Sequence, residues 1–231
     1  MSDDIFTTEF ESIRVERDDA VATVTIDRPD DRNALNGTVR SELKTALPAI
    51  EESDARVIVL TGSAECNAFV AGADVTEFRD RDLFEQRAAS ARPRVYEVVD
   101  GLTTPVVAAV NGHALGGGLE LATACDIRIA TEGGKLGQPE INLGIIPGGG
   151  GTQRLPRLIG EGQAMRLILS GELVDATEAA EIGLVEQVCD SETFDDRVAA
   201  LAGSIADKSP LALEFAKESV RAASRTGLDE G

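Results

Sequence analysis

Residues 111–152 read NGHALGGGLELATACDIRIATEGGKLGQPEINLGIIPGGGGT, and the rest of the chain is organised around them. An apolar run, 106–110, leads in after Pro105, as a short buried strand does. The chain then turns through Gly116–Gly118 into a helical stretch carrying Glu120, and a second carboxylate follows at Glu140 before four more glycines. A helix that starts at such a turn leaves its first N–H groups free, with the positive end of its dipole facing whatever sits there. That end suits a developing negative charge, and two carboxylates are near enough in sequence to work beside it.

Outward from this stretch, strands and helices alternate. Residues 12–16 and 20–27, parted by Asp18-Asp19, read as a hairpin. The polar loop DDRNALN precedes a helix over 36–52, marked by Val39, Leu43, Leu47 and Ile50, which Pro48 should shorten or kink. RVIVLT (56–61) is a buried strand. A helical stretch is expected from Asp74, another helix over 83–99 with a break near Pro93, then the strand 105–110, a helix over 119–124 and a strand-like run DIRIA (126–130). The recurring order of strand, glycine loop and short helix suggests ββα turns stacked into a spiral. Further on, helices are expected over 161–170, 177–182, 194–206 and 210–223, with a short strand over 184–188.

Composition narrows the function. The 231 residues can bury a sizeable core, and no apolar run reaches membrane-spanning length. The acidic N-terminus lacks a secretory pattern, and Cys66, Cys125 and Cys189 match neither a disulfide framework nor a zinc pattern. A cytoplasmic protein with reduced thiols is expected. Acidic residues number 41 against 22 basic ones, a net charge of −19 with only four lysines. Nucleic-acid binding is disfavoured, because it needs cations to replace phosphate counterions. Such a surface fits a cytoplasm of very high salt, where repulsion between carboxylates is screened. An acidic protein at ordinary ionic strength is the alternative.

The single histidine, His113, removes His-based triads and HExxH zinc sites, and it reads as a structural residue near a strand end. No G-x-S-x-G, GxxxxGK[ST] or GxGxxG motif occurs, which disfavours serine hydrolases, P-loop NTPases and dinucleotide dehydrogenases.

NGHALGGGLELATACDIRIA followed by GQPEINLGIIPGGGGTQRLPRLIG resembles the enoyl-CoA hydratase (crotonase) family, as do AFVAGADV (68–75), RPDDRNALN (28–36) and 165–188. The resemblance covers nearly the whole chain. It implies an α/β fold, a crotonase-like spiral of ββα repeats over 1–200. Residues 201–231 then begin a C-terminal helical region, which in the family continues for several more turns. It implies a homotrimer or hexamer and an acyl-CoA substrate, with no metal and no cofactor beyond the coenzyme A of the substrate. By position, the amides of Ala73 and Gly117 hold the thioester oxygen, while Glu120 and Glu140 are the catalytic pair that adds water to a trans-2-enoyl-CoA. Ala34, Leu35, Ala71, Gly72, Asp74 and Val75 line the substrate groove with Gly117.

Two lysine positions near the CoA phosphates are Asn67 and Thr76 here, so Arg28 and Arg32 are candidate substitutes. From the residues alone, a solvated helix face is the favoured place for Glu120 and an exposed loop the ordinary one for Glu140; the family pattern reverses both readings. The pattern does not say which glutamate holds the proton at rest. An enoyl-CoA isomerase, or another acyl-CoA lyase or hydrolase of the superfamily, is the alternative activity; retention of both acids favours hydration.

Overall fold

The computed structural model describes residues 3–74, 77, 84–85, 87, 91–224 and 226–229. The chain enters through the expected hairpin, β1 (Ile13–Asp18) antiparallel to β2 (Val21–Ile26). Helix α1 (Gly37–Glu51) follows, its first turn capped by the Asn36 side chain, which accepts the Val39 N–H at 2.9 Å. It buries Val39, Leu43, Ala46, Leu47 and Ile50, the stripe that the sequence spacing marks. Pro48 does not end α1. The proline lies in the last turn, where its missing N–H removes one bond and the helix runs on to Glu51.

Three spiral turns come next. β3 (Val57–Gly62) leads to β4 (Ala68–Val70). After α2 (Val95–Gly101), β5 (Val106–Val110) leads to β6 (His113–Leu115) and α3 (Gly117–Ala124). β7 (Ile127–Thr131) leads to β8 (Lys135–Gly137). β3, β5 and β7 pair in parallel in a six-stranded sheet of order β1-β2-β3-β5-β7-β10, closed by β10 (Gln187–Cys189). β4, β6 and β8 pair in parallel in a second sheet, completed by β9 (Leu173–Asp175). Each turn therefore adds one strand to each sheet, which is the spiral read from the repeat.

The run VIVL in β3 is apolar throughout because both faces of the sheet are covered. Ile58 and Leu60 face the main core with Leu43, Leu47, Phe69, Leu119 and Leu121. Val57 and Val59 face Phe194, Val198, Ala202 and Ala206 of a helix on the other side.

Further helices are α4 (Gly151–Ser170), α5 (Ala176–Glu181), α6 (Phe194–Ala206) and α7 (Pro210–Ala222). α6 crosses residue 200, the division expected between core and C-terminal region, and packs on the sheet. α7 buries no residue fully. Its Lys217 ammonium reaches Asp126 and the Thr104 carbonyl, each at 2.7 Å, and Arg221 reaches Asp126 at 2.8 Å.

Several expected boundaries shift. α4 begins ten residues before 161, and Gly160 (φ 76°) breaks it into two pieces, so the helix over 161–170 is its second half. The short strand expected over 184–188 is β10; Leu184 and Val185 instead enter the core. The helix expected over 83–99 with a break near Pro93 is met by helical Phe84, Glu85 and Arg87 before the break and by α2, from Val95, after it; residues 83, 86 and 88–90, and most of the stretch after Asp74, lie outside the described residues. The strands of the second sheet are three residues each, too short for periodicity to mark them.

Candidate active site

The site forms where α3 starts. Gly116, the residue before the helix, has φ 49° and ψ −120°, a backbone shape that glycine adopts without strain. Gly118 allows β4 to pass against the helix; a Cβ there would stand 2.0 Å from the Val70 carbonyl oxygen. This contact brings the chain after β4, with Ala73, beside the first turn of α3. The position that a Cβ on Gly117 would occupy is 3.6 Å from the Ala73 amide nitrogen. Neither the Ala73 nor the Gly117 N–H has an acceptor among the described residues. Two unspent donors converge on one space, with the dipole of α3 behind them.

The loop before α1 builds the adjoining wall. Leu35 bridges to Ala73, its N–H donating to the Gly72 carbonyl at 2.9 Å and its carbonyl accepting the Asp74 N–H at 3.0 Å. The Ala71 N–H donates to the Arg32 carbonyl at 3.1 Å. Buried Asn33 fixes this loop, donating to the Ala68 carbonyl at 2.8 Å and accepting the Arg28 N–H at 3.1 Å. The structure thus joins Ala34, Leu35, Ala71, Gly72, Ala73 and Asp74 in one wall; Val75 lies outside the described residues. Of the two arginines, Arg32 is exposed. Arg28 pairs with Asp31 and Asp74 and donates to the Ala34 carbonyl at 2.7 Å, so it braces the wall.

Glu120 is 2% exposed, not on a solvated face. One carboxylate oxygen, Oε1, accepts the N–H groups of Gly149 at 2.6 Å and Gly151 at 2.8 Å. Burial pushes this carboxyl above its ordinary value, opposed by those two amides and by Arg154 and Arg94. The glycine loop 148–151 is itself held in place: Arg154 donates to the Gly149 carbonyl at 2.9 Å and Arg94 donates to that of Gly148.

Glu140 lies in a 3-10 turn, Pro139–Leu143, and is half-buried rather than exposed. One of its oxygens comes within 3.0 Å of the position a Cβ on Gly116 would take, so it borders the turn that launches α3. Burial first, then the charge of Glu120, pushes its carboxyl up to about 7. Fully buried Gln138 stands next to it. With its amide turned to pair donors with acceptors, the nitrogen donates to both Glu140 oxygens at 2.9 and 3.0 Å. Turned the other way, the same amide can accept a proton from a neutral Glu140. The site therefore holds two carboxyl groups with elevated proton affinity beside two free amides. It can take a proton from one reactant atom, give one to another, and hold the charge that forms between.

Gly149, Gly151 and Gln138 carry no signal of function in the sequence beyond their place in a glycine-rich pattern. Tyr96, on α2, is a further site residue that no motif marks. It is the chain's single tyrosine and is 7% exposed. Its ring edge and Glu120 Oε2 both crowd the position of a Cβ on Gly149, at 2.4 and 2.5 Å. His113 is structural, as expected: its Nδ1 accepts the Lys135 N–H at 3.0 Å.

Residues 16–231 match the family model described as enoyl-CoA hydratase/isomerase. The chain is 41% identical over 222 residues to the crotonyl-CoA hydratase of Syntrophomonas wolfei, covering 95% of this chain and 85% of that one. It is 40% identical to the 2,3-dehydroadipyl-CoA hydratase of Escherichia coli, over 94% of this chain and 84% of the relative. Among solved structures, enoyl-CoA hydratase from Bacillus anthracis superposes with a TM-score of 0.91 at 41% identity, covering 95% of this chain and 86% of the other.

Proposed function

Because the chain belongs to the enoyl-CoA hydratase/isomerase family, we propose that it hydrates trans-2-enoyl-CoA thioesters to 3-hydroxyacyl-CoA. The observation that carries this reading is the pair of raised carboxyls, Glu120 and Glu140, beside the free amides of Ala73 and Gly117. Hydration needs both a base and an acid, and both are retained.

In this reading the thioester oxygen sits against the Ala73 and Gly117 amides, and the water lies between the carboxyl groups. Glu120 accepts a proton from the water as its oxygen bonds to C3. The C2–C3 π pair shifts toward C1, and the carbonyl pair moves onto the thioester oxygen, where the two N–H groups and the α3 dipole stabilise it. As that charge returns, Glu140 gives a proton to C2. The net change is one water added and no electron gained or lost. The amides that hold Glu120 Oε1 leave Oε2 to meet the water.

Crotonyl-CoA tests the reading, because hydration removes the absorbance of the conjugated thioester. Glu120→Gln and Glu140→Gln are each expected to lower kcat by roughly 10²–10⁴-fold, the range for loss of a positioned acid or base. Wild-type turnover in both variants rules it out.

We also propose a homotrimer or hexamer working in a cytoplasm of high salt. Exposed Leu143, Ile145 and Ile146 after Glu140, and Leu211, Phe215 and Val220 on α7, support assembly. The net charge of −19 supports the salt, and three unpaired cysteines support the compartment. No helix among the described residues is long and apolar enough to cross a membrane.

A further inference from the structure

The two-glutamate scheme leaves the Tyr96 hydroxyl without a task. The residue is 7% exposed, yet the hydroxyl has no hydrogen-bond partner among the described residues, and it is not sealed away from the site. An accessible hydroxyl without a protein partner can take up a hydrogen bond that a phenylalanine filling the same space could not. The hydroxyl is therefore placed for a group that the bound substrate brings.

Its position says which group. The phenol oxygen stands 2.9 Å from where a Cβ on Gly117 would be, and that point is 3.6 Å from the Ala73 amide nitrogen. Leu35 Cδ1, 3.7 Å from the same point, offers only apolar surface. The hydroxyl-bearing edge of the ring, Cε2 and Cζ, lies against Gly149, whose N–H holds Glu120. The hydroxyl thus borders the space where the two free amides converge, at the same end of the ring that meets the loop holding Glu120.

We propose that Tyr96 is a third hydrogen-bond donor to the thioester oxygen, joining the Ala73 and Gly117 amides as charge develops there. The inference rests on the hydratase reading for its substrate, and it adds a catalytic residue to it. Burial, and then the charges of Glu120 and Glu140, hold the phenol above its ordinary value, so it keeps its proton and acts as a donor throughout. A donor that stays neutral strengthens its bond as the oxygen becomes an enolate, without itself transferring a proton.

Tyr96→Phe removes only the hydroxyl. With crotonyl-CoA, kcat should fall on the order of 10- to 100-fold. That is below the 10²–10³-fold typical of losing an oxyanion donor, because two amides remain. KM should change by less than about threefold, since the interaction strengthens mainly in the transition state. A second readout separates donation from packing. A 4-dimethylaminocinnamoyl-CoA thioester absorbs at longer wavelength as its carbonyl is polarised, so binding to wild type should shift the band to the red. The shift should be smaller in Tyr96→Phe at saturating ligand, with an unchanged circular dichroism spectrum. An unchanged red shift overturns the proposal, whatever happens to kcat, because the hydroxyl then acts elsewhere than on the carbonyl. A variant with wild-type kcat overturns it too. If wild type polarises the chromophore through Tyr96 but hydrates no enoyl-CoA, the donor assignment stands and the hydratase reading fails.

Discussion

Glu140 carries the clearest electrostatic consequence at the scale of single residues. Its carboxyl is pushed up to about 7 in the folded protein, from an ordinary value of 4.5, by burial and by Glu120. Between those values the folded state holds a proton that the unfolded state has released. The stability this gives is complete below about 4.5 and is lost as pH rises through 7. Glu140→Gln cannot ionise, so its melting temperature should match wild type near pH 4 and exceed it by roughly 5–10 °C at pH 8. Thermal melts across pH measure this, and a gap that does not widen with pH contradicts it. Wild-type hydration should decline over the same range, because the proton delivered to C2 is lost above pH 7. Glu120 differs in kind: two backbone amides grip one of its oxygens and partly offset the burial penalty, which keeps the ionised form available as a base.

Among the elements, α3 and the loop 148–151 divide the work. α3 brings the Gly117 amide and Glu120 into the site on one rigid helix, and the loop clamps Glu120 from the opposite side through Gly149 and Gly151. The approach of β4 to α3 sets the distance between the two free amides. Gly118→Ala puts a Cβ 2.0 Å from the Val70 carbonyl oxygen, a backbone atom that cannot swing aside. The substitution is expected to destabilise the fold by about 1–3 kcal/mol or more, in the range of overpacked cores. Hydration should fall too, since the Gly117 amide moves with the helix. Denaturant melts read the first effect and crotonyl-CoA turnover the second. An alanine variant as stable and active as wild type contradicts this account of the contact. The C-terminal end of α3 is anchored as well: buried Arg128 donates to the Cys125 carbonyl at 3.1 Å and to that of Leu184 at 3.0 Å.

For the whole molecule, charge and apolar surface pull in opposite directions. A net charge of −19 on a 24.3 kDa chain repels a second copy at low ionic strength. The exposed apolar residues after Glu140 and along α7 favour association once that repulsion is screened. Light scattering coupled to size exclusion, run from low to molar salt, should give three or six times the protomer mass at high salt. The melting temperature should rise along the same series. A monomer at every salt concentration, most stable in the most dilute buffer, contradicts both expectations.

The sequence by itself determined the spiral and the structural role of His113, and through a family resemblance it singled out Glu120, Glu140 and Gly117. Each depends on a local signal: apolar runs before glycine turns, a motif of fixed spacing, a lone residue at a strand end. Only the tertiary structure decided how those parts meet. It brings Ala73 beside Gly117 through the crossing of β4 and α3, and it commits Arg28 to Asp31 and Asp74. It also sets Gly149, Gly151 and Gln138 against the carboxyl groups and points Tyr96 at the free amides. The second sheet belongs to the same class, because its three-residue strands are defined by their partners rather than by their own pattern. The physical reason is common to all of them. Proton affinity and donor convergence arise from burial and from neighbours distant in sequence, which no spacing along the chain records.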